Sequence, residues 1–275
     1  MPRTANGDPA LNEIVVCCGM RRGGSTLQTN LVAAILDDAP LKLTDPANFE
    51  RRLAEGLPDH APLVLKTHRF GQVYTAPLAE GRIKACYVYR DLRDVVVSMA
   101  NKYQKSHREL LAGATLTQLR SEYHGWTRAP KVYVARYEDM MVDLKAEIAR
   151  LAAYLGRTLE PQRIAEIAGR YELQEVRRRQ AGFDFDASGA GSGADRFDPA
   201  TLLHRNHVHS GASGQWHEVL TRSEIAVIEA HSGGWLIDRG YSLSMHPLEA
   251  RIRARAWRFA YRLGNLLRRL GLRRG

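Results

Sequence analysis

The chain has 275 residues, 44% of them hydrophobic and 25% charged, enough to bury the core of one α/β domain or at most two small ones. Its formal charge is +10, but residues 249 to 275 carry nine arginines against the single acid Glu249, so about +8 belongs to that segment and the body is nearly neutral. An excess confined to one end argues against a nucleic-acid-binding surface; MPRTANGDPALNE has no apolar leader and no uncharged apolar run approaches the roughly 18 residues of a membrane span, which predicts a cytoplasmic protein.

Four apolar, β-branched runs recur in chain order with helical segments between them: Ile14 to Cys18, Leu63 to Leu65, Lys84 to Tyr89 and Lys131 to Ala135. Runs without polar alternation suit strands buried on both faces, so the pattern predicts an α/β fold, a parallel β-sheet flanked by helices on both faces. Cys17, Cys18 and Cys86 all lie in these runs, which predicts buried, reduced thiols, and no cysteine or histidine spacing points to a metal.

The first run ends in CCGMRRGGSTLQTN, residues 17 to 30, and turns through Gly19, Gly23 and Gly24 into a helix over Thr26 to Leu36. Gly19, four residues, Gly24, Ser25 and Thr26 keep the spacing of G-x-x-x-x-G-K-[ST], with Ser25 where a nucleotide-binding loop carries its lysine. Backbone N–H groups of a glycine turn continued by a helix N-terminus bind tetrahedral anions whatever the side chains, so this is a candidate anion site with Arg21 and Arg22 inside its loop. Without the lysine it is poorly built for γ-phosphoryl transfer. A tight turn with two solvated arginines is the plain alternative.

The second run ends in LVLKTHRF, residues 63 to 70, presenting Lys66, Thr67 and His68. A histidine of ordinary pKa, about 6.5, can take a proton from a substrate hydroxyl near neutral pH; a structural or surface histidine is the alternative. In YVYRDLRDVVVS, residues 87 to 98, Arg90 stands at a strand end and Ser98 two turns into a helix over about Leu92 to Lys105, where the two can share a phosphate. Asp91 and Asp94 suit the cap of that helix. Ligands of open α/β sheets sit at the carboxyl ends of the strands, so these turns are expected to face one crevice.

The fourth run leads through Glu138 and Asp139 into an amphipathic stretch with Ile148, Leu151, Ala152 and Leu155, and helical pattern resumes from Pro161 to Gln180. FDFDASGAGSGAD, Phe183 to Asp195, breaks all periodicity and predicts a mobile loop over about 183 to 199, either a lid or a plain surface loop. Thr221 with Glu224 forms a capping box that opens a helix to about His231. Beyond Glu249 a helical wheel collects Ile252, Ala256, Phe259, Ala260, Leu263, Leu266, Leu267 and Leu270 on one face, with Arg251, Arg255, Arg258, Arg262, Arg269 and Arg273 read as opposite. Such a helix either lies in an anionic membrane interface or docks its stripe on the protein's own body.

These stretches, in this order and followed by VYVARYEDMMVDLKAEIARLAAYLG (132 to 156) and HSGASGQWHEVLT (209 to 221), resemble the sulfotransferases that use 3′-phosphoadenosine 5′-phosphosulfate (PAPS), from about Ile14 to Tyr241. The resemblance implies a P-loop-like sulfotransferase domain, bounded here as 1–246, and the basic amphipathic C-terminal tail read from the helical wheel follows it over 247–275. It implies that Arg22, Gly23, Gly24, Ser25 and Thr26 hold the 5′-phosphosulfate, that Arg90 and Ser98 hold the 3′-phosphate, and that Tyr137 lies near the adenine. His68 is then the catalytic base, with Lys66 and Arg22 beside the transferring group. Leu27 stands where many members carry a tryptophan that stacks on adenine. His209, Ser210 and Gly211 replace the Arg-Lys-Gly that completes the 3′-phosphate site, with Arg205, His207 or His209 as candidate compensating cations; Trp216 is read as a core aromatic or a ligand.

The implied activity is transfer of a sulfuryl group from PAPS, without a metal, to a hydroxyl or amine of a small molecule, lipid or glycan. The acceptor pocket is expected in the loops Asn48 to His60, Gln104 to Ala114 and Phe183 to Asn206. A P-loop small-molecule kinase and a non-catalytic, membrane-associated nucleotide-binding protein are the alternatives. If the basic helix meets a membrane, the protein is peripheral on its inner face.

Overall fold

A computed structural model describes residues 13–55, 62–192, 196–205 and 211–270. They fall into two compact units, Met1–Arg90 with Ser121–Gly211, and Asp91–Arg120 with Ala212–Gly275. The five strands are β1 (Ile14–Gly19), β2 (Leu41–Leu43), β3 (Leu63–Thr67), β4 (Ile83–Tyr89) and β5 (Val132–Arg136). The first helices are α1 (Ser25–Ile35), α2 (Pro46–Glu55), α3 (Thr75–Ala79), α4 (Leu92–Tyr103), α5 (His107–Ala112) and α6 (Thr115–Arg128). After β5 come α7 (Tyr137–Val142), α8 (Leu144–Leu155), α9 (Pro161–Tyr171), α10 (Leu173–Gly182), α11 (Trp216–Val219), α12 (Arg222–Asp238) and α13 (Pro247–Arg269).

The first unit holds the sheet, in the order β2-β3-β1-β4-β5 with all neighbours parallel. β1 is central and wholly buried, with Cys17 in register between Lys66 and Cys86. Alternation along the strands divides the core in two. Val15, Cys17, Val64, Cys86 and Val88 pack with Leu31, Val32 and Ile35 of α1, Ile148, Leu151 and Leu155 of α8 and Ile167 of α9. On the other face Tyr87 meets Tyr123 of α6 edge-on, and Tyr74 lies between Phe49 of α2 and Trp126 of α6, at 4.6 and 4.8 Å. The three cysteines are free and buried, and burial pushes the Cys18 and Cys86 thiols far up, so they serve as core rather than as nucleophiles.

Two expectations change. A fifth strand, β2, joins the sheet edge, and helices α2 and α5 occupy most of two stretches read as acceptor loops. The stretch read as a mobile loop makes these contacts in its described part. Phe185 is buried, Asp186 pairs with Arg196 and Arg205 at 2.7 and 2.6 Å, and Asn30 of α1 donates to the Thr201 carbonyl at 2.7 Å.

In the second unit Asp91 caps α4, accepting from the Arg93 N–H at 2.9 Å. The Arg93 side chain, 2% exposed, forks between Asp91 (2.7 Å) and Glu229 (2.8 Å) and lies 3.8 Å over the ring of Trp216. Asp94 accepts from the N–H groups of Gly214 (2.7 Å) and Trp216 (3.2 Å), which fixes the entry to α11 and makes Trp216 a core aromatic. The capping box of Thr221 and Glu224 opens α12 as read.

Candidate active site

The site grows from the end of β1. A Cβ on Gly19 would lie 2.8 Å from the Val88 side chain and 3.0 Å from its carbonyl, so only glycine lets β1 end this close to β4. The Met20 N–H donates to Val88 O (2.9 Å) and the Gly23 N–H to Met20 O (2.7 Å), closing one tight turn. The chain then passes Arg22 at φ 69° and Gly24 at φ 92° before α1 begins. Gly24 is required twice over: its backbone is left-handed, and a Cβ there would lie 2.5 Å from the ring of Tyr137.

Helix α1 starts with no side-chain cap and no acid in its first turn. Its leading N–H groups and the positive end of its dipole are therefore left for an anion. Ser25 and Thr26 are buried there. Lys66, from the end of β3, is buried too and donates its Nζ proton to Thr26 Oγ1. Burial and then the Arg22 guanidinium lower the Lys66 pKa from 10.5 to about 7, against a smaller opposing contribution from Cys17.

His68 follows two residues later, its Nδ1 2.7 Å from the Gly19 carbonyl oxygen. A carbonyl only accepts, so Nδ1 carries the proton and Nε2 keeps its lone pair. Burial first, then the Lys66 charge, lower the His68 pKa from 6.5 to about 3, with the Gly19 hydrogen bond opposing. The imidazole is thus neutral at physiological pH and offers one base, Nε2.

Arg90 ends β4, buried, with its guanidinium 4.5 Å over the ring of Tyr137, whose hydroxyl donates to Gly211 O at 2.9 Å. Tyr137 is thereby the wall that joins three expected site positions, Gly24, Arg90 and Gly211. Gln28 in α1 was passed over in the sequence. It is fully buried, and neither atom of its amide has a partner among the described residues, which costs free energy unless a ligand supplies the hydrogen bonds. The signal was a glutamine one turn inside a helix that packs on nearly every side.

Ser98 stands on α4 in the second unit, where the sequence puts it. His207, His209 and Ser210 lie outside the described residues. Arg205, one of the three candidate compensating cations, pairs with the exposed Asp186 at 2.6 Å. Leu27 packs against the core around α1, α8 and α9 rather than presenting a platform.

A glycine turn that delivers an uncapped helix N-terminus at the carboxyl end of a central parallel strand, with Arg22, Lys66, His68 and Arg90 supplied by the same unit, gives an α/β protein a candidate anion site. The chain belongs to the sulfotransferase domain family, whose profile matches residues 13–239. Sulfotransferase 1A1 of Bos taurus is 23% identical over 189 residues, 62% of this chain and 61% of that protein. Sulfotransferase 2B1 of Homo sapiens is 23% identical over 193 residues, 62% of this chain and 50% of that protein. The matched part thus spans between half and about three fifths of these relatives.

Mouse sulfotransferase SULT7A1, solved complexed with PAP, has a TM-score of 0.54 at 18% identity, covering 79% of this chain and 82% of that one. Retinol dehydratase, solved with retinol and PAP, has a TM-score of 0.55 at 18% identity, covering 88% and 84%. At this identity the likeness is one of fold.

Proposed function

We propose that the chain is a PAPS-dependent sulfotransferase acting on a hydroxyl or amine acceptor. The observation that carries the reading is the end of β3, where Lys66 reaches Thr26 at the head of α1 while His68, pinned by Gly19, offers Nε2. When bound, PAPS supplies the sulfuryl group and its phosphate leaving group, with no need for a metal bridging two phosphates. The residues fit such a ligand: an uncapped helix end, a buried lysine beside Arg22, and the orphaned amide of Gln28 all call for an anionic, hydrogen-bonding occupant.

In this reading Arg22, Gly23, Gly24, Ser25 and Thr26 hold the 5′-phosphosulfate. Lys66 and Arg22 balance the charge that grows on the leaving phosphate oxygen as its bond to sulfur breaks. His68 Nε2 takes the proton of the acceptor hydroxyl as that oxygen bonds to sulfur. By the family pattern Arg90 and Ser98 take the 3′-phosphate, Tyr137 stands near the adenine, and His209, Ser210 and Gly211 complete the phosphate site. The fold relatives solved with PAP support this assignment, and the one solved with retinol supports a lipid-like alcohol as acceptor, with a membrane-linked glycan as the other candidate. The basic C-terminal helix supports a peripheral position on the inner, cytoplasmic face of a membrane.

The test is transfer of label from PAPS to a panel of lipid, glycan and phenolic acceptors, beside thermal shifts with PAP and with magnesium ATP. Selective stabilisation by PAP is expected, and His68→Ala should lower transfer by 10² to 10⁴, on the order of a general base, while PAP still binds. Unchanged turnover in that variant removes His68 from the mechanism, and stabilisation by ATP alone removes the reading.

A further inference from the structure

Helix α13 has two working sides. Ala250, Ala254 and Gly264 are buried, with Trp257 and Tyr261 half-buried beside them, and this side packs along α12. Small residues at these positions let two helices approach closely. At about 100° per residue, Leu248, Ile252, Phe259, Leu263, Leu266 and Leu270 fall within about 60° of one another on the far side. They are exposed, from 43% at Leu263 to 70% at Phe259. Among the described residues the apolar stripe therefore finds no docking partner. The same geometry corrects the arginines: Arg251, Arg255, Arg258, Arg262 and Arg269 run along one edge of the stripe rather than opposite it.

The charge on this edge is unbalanced. Glu249, the one acid of the helix, is engaged by Arg222 at 2.8 Å and Arg253 at 2.7 Å, neither of which belongs to the edge. Arg258 and Arg262 have no acidic partner among the described residues. They also line an open cavity of about 350 Å³, whose other walls include Leu116 and Thr117 of the first turn of α6, His231 of α12, and Trp257 and Tyr261. Outside this lining, the Arg108 guanidinium lies 5.3 Å over the ring of Tyr261. The cavity thus joins apolar and aromatic walls to cations, the lining that an anionic headgroup with an apolar continuation requires.

We propose that α13 is a lipid-interface helix: its stripe enters the acyl boundary of an anionic bilayer, and the cavity beside Arg258 and Arg262 takes the phosphate headgroup of one lipid. A line from Leu248 to Leu270 is about 33 Å long and lies flat in such an interface, with the arginines at headgroup level. A second copy of the chain is disfavoured as the occupant, because its matching face carries the same arginines. The inference deepens the membrane part of the proposed function and is independent of the transfer chemistry, which PAP binding reports separately.

The experiment is co-sedimentation of the full chain with vesicles of phosphatidylcholine alone, or with about a third phosphatidylglycerol, and a PAP thermal shift on every variant. Wild type should bind the anionic vesicles selectively. The double variant Phe259→Glu/Leu263→Glu should bind at least tenfold more weakly with the PAP shift unchanged. Arg258→Gln/Arg262→Gln should lose about thirtyfold, near fivefold per cation. Dihexanoyl phosphatidylglycerol below its micelle concentration should raise the Tm of wild type but not of the arginine variant. Equal binding to both vesicle types, binding to neither, or unchanged binding by the Phe259 variant overturns the lipid face. An equal Tm shift with inorganic phosphate overturns the headgroup site.

Discussion

Binding of PAP should draw a proton onto Lys66. With its pKa lowered to about 7 by burial and by Arg22, the free lysine is about nine-tenths neutral at pH 8. A phosphate at the head of α1 removes the cause, since an opposite charge within about 4–6 Å restores the charged amine. The expected uptake at pH 8 is about 0.9 proton per site, falling to about 0.1 at pH 6. The phosphates of PAP, with second pKa values near 6, are already dianions at pH 8 and release almost nothing.

The assay is isothermal titration calorimetry at pH 8 in two buffers of different ionisation enthalpy, whose difference in apparent heat gives the protons taken up. Lys66→Met should reduce uptake to near zero and weaken PAP binding. In the free protein the sign runs the same way. Between pH 7 and pH 10.5 the unfolded chain holds a proton that folded Lys66 has shed, so stability should rise with pH across that window and the rise should vanish in Lys66→Met. Uptake below about 0.3 at pH 8, or the same uptake in the variant, would refute the assignment of Lys66 to the anion site.

The two arginines of the RDLRD stretch should separate cleanly. Arg93→Ala removes the guanidinium that bridges the buried carboxylates of Asp91 and Glu229, so urea unfolding should show a loss of about 3–5 kcal/mol, whereas Arg90→Ala should mainly weaken PAP binding. The opposite pattern would reverse their roles. Gly24→Ala forces a side chain into the left-handed backbone and the Tyr137 ring, so PAP affinity should fall at least tenfold with about 1–3 kcal/mol of stability, measured by calorimetry and by urea. A variant that binds normally would show that the turn tolerates rearrangement.

How much of this was legible in the sequence depended on how local each determinant is. β1, β3 and β4 announced themselves because strands buried on both faces read as unbroken apolar runs, and Arg22, Gly24, Lys66, His68 and Arg90 were found because they stand where those runs stop. β2 was missed: its three residues are an edge with Lys42 and Leu43 exposed, which leaves no run to see. α5 was overlooked although Ser106 and Glu109 form the same capping box that revealed α12. The pairing of Arg205 with Asp186 and the burial of Arg93 against Glu229 join residues 19 and 136 positions apart, and no periodicity encodes such partners. A wheel drawn on α13 gives faces but not which one packs; Ala250, Ala254 and Gly264 held that answer.

Lys66 is the last residue but one of β3, and His68 follows directly on its final residue, Thr67. β3 is bonded between β1 and β2, and His68 is bonded in turn to the last residue of β1. In the proposed chemistry the group that meets the donor's charge and the group that receives the acceptor's proton are thus graduations on a single ruler, and segments bordering an acceptor can lengthen, shorten or exchange residues without altering the interval between them.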